Sequence, residues 1–436
     1  MRDLIILSII LIGAAVALWR PWIGILLWTW VSIMNPHRYA WGIAYTSPVA
    51  AIVAVSVLIG TLFTKYRQSP FQGAPTIILF LFAIWMTISW LAGYDTAGDY
   101  PQWDKVIKIY LMTFVALMLL NHKQKIIAFA WVTTLSLALL GAKGGLFTLL
   151  TAGNYRVWGP PESFVADNNH FALALIMTIP LLHFLQLQLL SVWQRHAVTA
   201  IMVLCAIAAI GSYSRGGLLA IAAMTALLWW RSERKLLLGM LIMLMVAVFL
   251  PFMPETWWER MRTIQTYEQD ASAMGRINAW IVGWEVAKNH FFGGGMSYQH
   301  PYFFSMYGVY EDIVRAAHSI YFQILGNHGF VGLILYLLLW LTTYRSAGWL
   351  RKHGKAQPQT QWASDLGAMA QVSLVGFAVG GAFLSMPYFD LPYNIMVMVV
   401  LARKWVEKRA WETEKEVTLR EMLSFRRKAE PAARAT

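Results

Sequence analysis

The chain has a single cysteine in 436 residues, Cys205, and it lies inside an apolar run. An intramolecular disulfide is impossible, which excludes a secreted disulfide scaffold. Charge is scarce as well: Asp, Glu, Lys and Arg make up 13% of the chain, against about 25% in a soluble domain. There is no DxD, no HExxH and no Cys/His cluster at metal-ligand spacing. Gly293-Gly294-Gly295 lacks the following lysine of a phosphate-binding loop and reads as a turn. No internal repeat or heptad array is visible. A soluble enzyme and a disordered chain are both excluded.

What is present in quantity is hydrophobic sequence. Hydrophobic residues form 58% of the chain, mean hydropathy is +0.52, and apolar runs recur from residue 3 to residue 402. The runs are continuous rather than alternating, so they predict helices and not a transmembrane barrel. The fold class is therefore all-α, a polytopic integral membrane protein. Apolar segments fall near 4–19, 21–34, 48–64, 75–93, 105–121, 125–141, 170–190, 196–213, 215–230, 235–252, 318–344, 365–385 and 387–402. The start resembles a signal peptide, but no small-x-small cleavage site precedes Arg20-Pro21, which predicts a retained helix.

The net charge of +13 is that of basic loops flanking spans on the cytoplasmic side, not of a nucleic-acid binder. Lys65 and Arg67, His122 to Lys125, Arg195-His196, Arg231 to Lys235, Arg345 to Lys355 and the tail from Arg403 all belong inside by this rule. The stretches 94–104, 142–169 and 253–317 then lie outside. Both termini inside would require an even number of crossings. Segments 4–19 and 21–34 therefore read as one broken or half-penetrating unit, leaving about 12 spans. The expected organisation is a first part of the bundle over 1–252, an outer helical subdomain over 253–317, a second part over 318–402 and a basic cytoplasmic tail over 403–436. Within the outer subdomain, Ile277, Trp280, Ile281 and Trp284 recur at helical spacing. Its aromatics are expected to pack on the bundle and at the membrane interface.

Candidate chemistry sits at the outer rim. Gly211-Ser212-Tyr213-Ser214-Arg215-Gly216-Gly217 joins two spans of opposite direction. Ser212 and Ser214 can cap the next helix, and the glycines would let backbone approach a ligand. Arg215 at the helix start joins free N–H groups, the helix dipole and a guanidinium at one point, an anion site; snorkelling to headgroups is the structural alternative. His318 also precedes a span, where a positive dipole would favour neutral imidazole, a possible proton acceptor. Arg276 adds a cation in the outer subdomain, with Asp270 or Glu285 as possible ion-pair partners. Arg38, Arg156, Asn169, His170 and Tyr321 are candidate substrate contacts of second rank, capping being the simpler role for the Asp167–His170 run. All the proposed anion contacts are arginines, which neutralise pyrophosphate without a metal; no metal or other cofactor is expected.

Ser214-Arg215-Gly216-Gly217, Gly275-Arg276, Ala317-His318-Ser319, Gly326 and His328-Gly329 occur in an order that resembles the O-antigen ligase family and its wider ligase/polymerase superfamily. Asn35-Pro36-His37-Arg38-Tyr39-Ala40-Trp41-Gly42 is similar to the subgroup of predicted O-glycosylation ligases. The resemblance implies a glycosyltransferase of the C type in the bacterial inner membrane, with its site facing the periplasm. It implies a glycan donor on undecaprenyl pyrophosphate, a lipid A–core oligosaccharide acceptor, and an inverting, metal-independent reaction in lipopolysaccharide biosynthesis. It further implies that His318 is the essential histidine and that Arg215 and Arg276 bind pyrophosphate. O-antigen polymerase and protein O-oligosaccharyltransferase would use the same donor and residues. A lipid-linked sugar transporter would tend to carry charge at the midplane and repeat-related halves, neither of which is visible.

Overall fold

A computed structural model describes residues 2–232, 234–249, 251, 253–262 and 271–414. Tyr267, Asp270 and the tail from residue 415 lie outside the described residues. The described residues contain helices and turns but no strand. The chain runs α1 (Arg2–Trp19), α2 (Pro21–Met34), α3 (Ile43–Thr46), α4 (Val49–Phe63), α5 (Ala74–Leu91), α6 (Thr96–Leu119), α7 (Lys123–Leu150), α8 (Asn168–Leu187) and α9 (Val192–Gly211). It continues through α10 (Arg215–Arg231), α11 (Lys235–Phe249), α12 (Glu255–Arg262), α13 (Ala271–Asn289), α14 (Pro301–Tyr307), α15 (Ile320–His353), α16 (Gln361–Gly381) and α17 (Asp390–Glu407). Seven helices among the described residues are long and apolar enough to cross a membrane. The protein is thus an all-α polytopic membrane protein.

Contacts between helix ends sort into two sets. At one end Asn121 Nδ2 donates to the Tyr66 carbonyl (3.0 Å), His122 meets Glu414 (2.7 Å), and Arg403 donates to Ser346 Oγ (3.1 Å). At the other end Arg38 pairs with Glu162 (2.6 Å) and the Met296 N–H donates to Asp99 (2.6 Å). Asn168 Nδ2 also donates to the Ser212 carbonyl there (2.6 Å). The first set carries the basic loops; the second carries the candidate site residues.

The first two segments form a hairpin, not one crossing unit. Asp3 Oδ1 accepts from the Gly42 and Ala44 N–H groups (3.0 and 3.2 Å), so the start of α1 lies with the 35–47 turn at the site end. The chain reverses at Arg20-Pro21, where proline opens α2. Gly60 of α4 packs so close to the Ala17 carbonyl that a Cβ there would overlap it. The two ends of the described chain therefore lie at opposite ends of the bundle, and thirteen alternating segments no longer conflict with the basic-loop rule.

Two loop boundaries differ from expectation. The stretch 94–104 is mostly the start of α6, capped by Asp95, whose side chain accepts from the Gly98 N–H. Helix α7 continues past Gly141 to Leu150 because Gly141, Gly144 and Gly145 form a close-packing face. A Cβ on Gly145 would strike the Leu204 carbonyl of α9, so glycine here brings two backbones together rather than ending a helix.

Between α12 and α15, α13 packs Ala279, Val282 and Val286 with Tyr298, Phe303, Phe304 and Ala317 in a small core of its own. Trp280 and Trp284 of the stripe read from sequence also meet α15. Trp280 stacks on Phe322 (centroids 5.0 Å apart) and Trp284 meets Phe330 edge-on (5.4 Å). Helix α15 is broken at Gly329, where φ is 67°. There the Gly294 N–H donates to the Gly326 carbonyl and the Gly295 N–H to the Asn327 carbonyl, stitching the 290–300 stretch onto α15.

Candidate active site

Ser214 caps α10 as its sequence predicts: the Gly217 N–H donates to Ser214 Oγ at 3.0 Å. Ser212 does not cap. Its hydroxyl donates to the Ala209 carbonyl and ends α9 (2.6 Å). Arg215 is thereby the first residue of α10 and is half-buried. The two glycines after it are packing positions rather than a backbone approach for ligand. A Cβ on Gly216 would press on Phe383, and one on Gly217 on Ser214 and Ala172.

The 382–389 turn between α16 and α17 touches the start of α10 and the residue before the α15 cap. It touches Gly216 through Phe383, and its Ser385 Oγ accepts from the His318 N–H at 2.9 Å. Next to it, Ile320 packs on Gly381. His318 has a left-handed backbone (φ 46°) and immediately precedes Ser319, the N-cap of α15. Such a φ is rare outside glycine and marks a position held by its surroundings.

Asp167 caps α8, its side chain accepting from the Asn169 and His170 N–H groups (2.9 and 3.3 Å). Asn168 ties that helix start to the Ser212 turn. Asn169 is committed to the cap through bonds to Asp167 and Asn168. His170 is different: its ring bonds the Phe164 carbonyl, while its Nε2 is buried without a hydrogen-bond partner.

Burial holds the His318 imidazole well below the ordinary histidine value, at about 4, reinforced by the Arg276 guanidinium, His170 and Arg315; Asp167 opposes them. A lowered value favours the neutral ring, and its causes are desolvation first and neighbouring cations second. Arg276 on α13 and Arg315 thus face His318 electrostatically. Arg315 also lays its stem on Gly275, where a Cβ would meet its Cγ at 2.9 Å. Glu285 bonds Lys288 (2.9 Å), so it is engaged within its own helix.

The second-rank residues separate. Arg156 lies over the Tyr213 ring (5.6 Å), beside the Arg215 turn, and is exposed. Arg38 is held in a clasp by Glu162 and by the Tyr45 carbonyl (3.2 Å). The Tyr321 hydroxyl donates to the Ala378 carbonyl (2.8 Å), which ties α15 to α16. Ser385 and Arg315 were not legible as site residues; Ser385 has no local signal, whereas Arg315 stands three residues before His318. Among the described residues no group of three or more His, Cys, Asp or Glu is placed to hold a metal ion.

Removing a neighbouring cation should raise the His318 value. Arg276→Gln is expected to move the ascending limb of the pH profile of kcat/KM upward from about 4. Arg315→Gln should move it the same way by less, because Arg315 is the smaller of the two contributions. Measuring kcat/KM from pH 3.5 to 8 for the three proteins checks this.

The helices define a polytopic membrane protein, and two arginines, Arg276 and Arg315, lie near His318. Residues 200–337 match a family model described as O-antigen ligase, and residues 1–190 match one described as a family of unknown function. The first match takes in Arg215, Arg276 and His318. It supports membership of the O-antigen ligase family or superfamily and an enzymatic, ligase-like role, without selecting a subtype. No curated protein matches the chain.

Proposed function

We propose that this protein is an O-antigen ligase of the bacterial inner membrane, with about 12 or 13 spans in a glycosyltransferase C arrangement. It would transfer a glycan from undecaprenyl pyrophosphate to lipid A–core oligosaccharide at the periplasmic face. The observation that carries this reading is the placement of neutral His318 beside Arg276 and Arg315, with Arg215 across the 382–389 turn. The basic loops gather at the opposite end of the bundle, which favours a periplasmic site.

His318 would take the proton of the acceptor sugar hydroxyl as that oxygen attacks the anomeric carbon. Arg215 and Arg276 would stabilise the charge that grows on the departing diphosphate, where stabilisation raises the rate. One displacement inverts the anomeric centre and needs no pair of carboxylates. On their own, burial and the cations would keep the imidazole neutral but also make it a weak base. A pyrophosphate docked among them would cancel their charge and raise its basicity toward the working pH. Donor binding and base activation are coupled in this way.

The test is transfer by the purified protein from undecaprenyl-pyrophosphate glycan, in EDTA, with lipid A–core, a second lipid-linked glycan and a Ser/Thr peptide offered separately. Modification of lipid A–core is expected. Modification of only the second glycan would make the protein a polymerase, and of only the peptide a protein glycosyltransferase. Activity lost in EDTA and restored by Mg²⁺ would overturn the arginine-based chemistry.

A further inference from the structure

An apolar groove of about 570 Å³ runs between the α1–α2 hairpin and α7. Ile12, Leu26, Trp30, Trp131, Ser136 and Leu139 are among its lining residues. It opens outward: Ile12 is 67% exposed and Leu139 51%. In a membrane this groove faces hydrocarbon, and acyl chains fill such a space.

The two helices that flank it carry a cation at the same end. On α7 the lining residues Val132, Ser136 and Leu139 lead, at helical spacing, to Lys143. On α1 the lining residues Gly13 and Ile9 lead to Arg2. Both cations are exposed. Lys143 lies over the Tyr39 ring (5.1 Å) and Arg2 over the Trp41 ring (5.8 Å), so both stand at the level of the 35–47 turn. The neighbouring Asp3 is engaged with backbone, accepting from the Gly42 and Ala44 N–H groups. An interfacial lysine and arginine at the head of an apolar stripe place positive charge at headgroup depth.

We propose that this groove is a binding site for an anionic glycerophospholipid, with an acyl chain against α1, α2 and α7 and the phosphate-bearing headgroup at Lys143 and Arg2. The site is separate from the His318 cluster. The glycine face of α7 that packs on α9 is made by Gly141, Gly144 and Gly145, whereas Lys143 extends the stripe toward α2. All the groove residues fall within 1–190, the part that matches a family of unknown function. The inference stands whether or not the protein is a ligase.

The experiment places a fluorophore in the groove through Leu139→Cys in a Cys205→Ala background. The protein is reconstituted in phosphatidylcholine vesicles, and brominated phosphatidylglycerol or brominated phosphatidylcholine serves as quencher. Phosphatidylglycerol should be favoured by roughly fivefold per cation. The Lys143→Gln, Arg2→Gln double variant should lose the preference, and Lys143→Arg should keep it. Native mass spectrometry of the protein without the label, in mixed lipid, provides a second reading should the labelled variant fold poorly: retained phosphatidylglycerol should fall in the double variant. Equal quenching by the two lipids, or a preference that survives the double substitution, overturns the proposal. Displacement of phosphatidylglycerol by an equal mole fraction of polyprenyl phosphate would give the groove to the donor's chain and overturn it as well.

Discussion

Replacing His318 by alanine should reduce glycan transfer by about 10²–10⁴-fold, the range for loss of a general base, while donor binding changes little. The imidazole acts on the acceptor hydroxyl, and its removal takes away a group needed only as the bond forms. Its ring is also not a structural anchor: the bond from His318 to Ser385 comes from the backbone N–H and survives the substitution. The left-handed φ of 46° is strained for alanine too, so stability should be compared by thermal unfolding before the kinetics are read. Single-turnover transfer with saturating donor, beside a donor-binding titration, separates the two effects. Near-normal turnover in a folded His318→Ala protein would move the base to His170, whose buried Nε2 lacks a hydrogen-bond partner.

Arg215→Ala should behave differently, weakening donor binding and turnover together. Pyrophosphate is charged in the ground state and gains charge on the leaving oxygen in the transition state, so the guanidinium acts in both. A loss of roughly 10²-fold in kcat is expected, comparable to removal of one oxyanion donor. Arg215→Lys should recover part of it, because an ammonium keeps charge but not the two-pronged geometry. The helix start itself should persist, since Ser214 supplies the cap and Gly216 and Gly217 the packing. The contrast between a base that changes kcat alone and a cation that changes both is measured in the same assay.

The parts of this site that lie at helix starts were legible in the sequence. Ser214 before Arg215 and Asp167 before α8 act as the caps their sequence suggests, whereas Ser212, read the same way, ends α9. The parts made by distant segments were not. Ser385 reaches His318 from 67 residues away and Asn168 reaches Ser212 from 44; nothing in either local sequence marks the partner. Glycine was read with one meaning where it has two. At Gly144, Gly145, Gly216 and Gly217 it admits a neighbouring helix or turn, so α7 was expected to stop early and the Arg215 turn to open onto ligand. The N-terminal hairpin was misread for another reason. Parity arithmetic assumed where the chain starts, and the bond from Asp3 to the 42–44 turn decides it.

The account rests on one direct displacement at the anomeric carbon, with His318 as base and diphosphate leaving. The most direct measurement is the anomeric configuration of the transferred sugar, read by NMR in product made from a donor of known configuration. Inversion, with product formation slowed by about 10²–10⁴-fold in His318→Ala, is the predicted result. Retention would mean a covalent glycosyl-enzyme or two successive displacements, and it would contradict the mechanism built on this site.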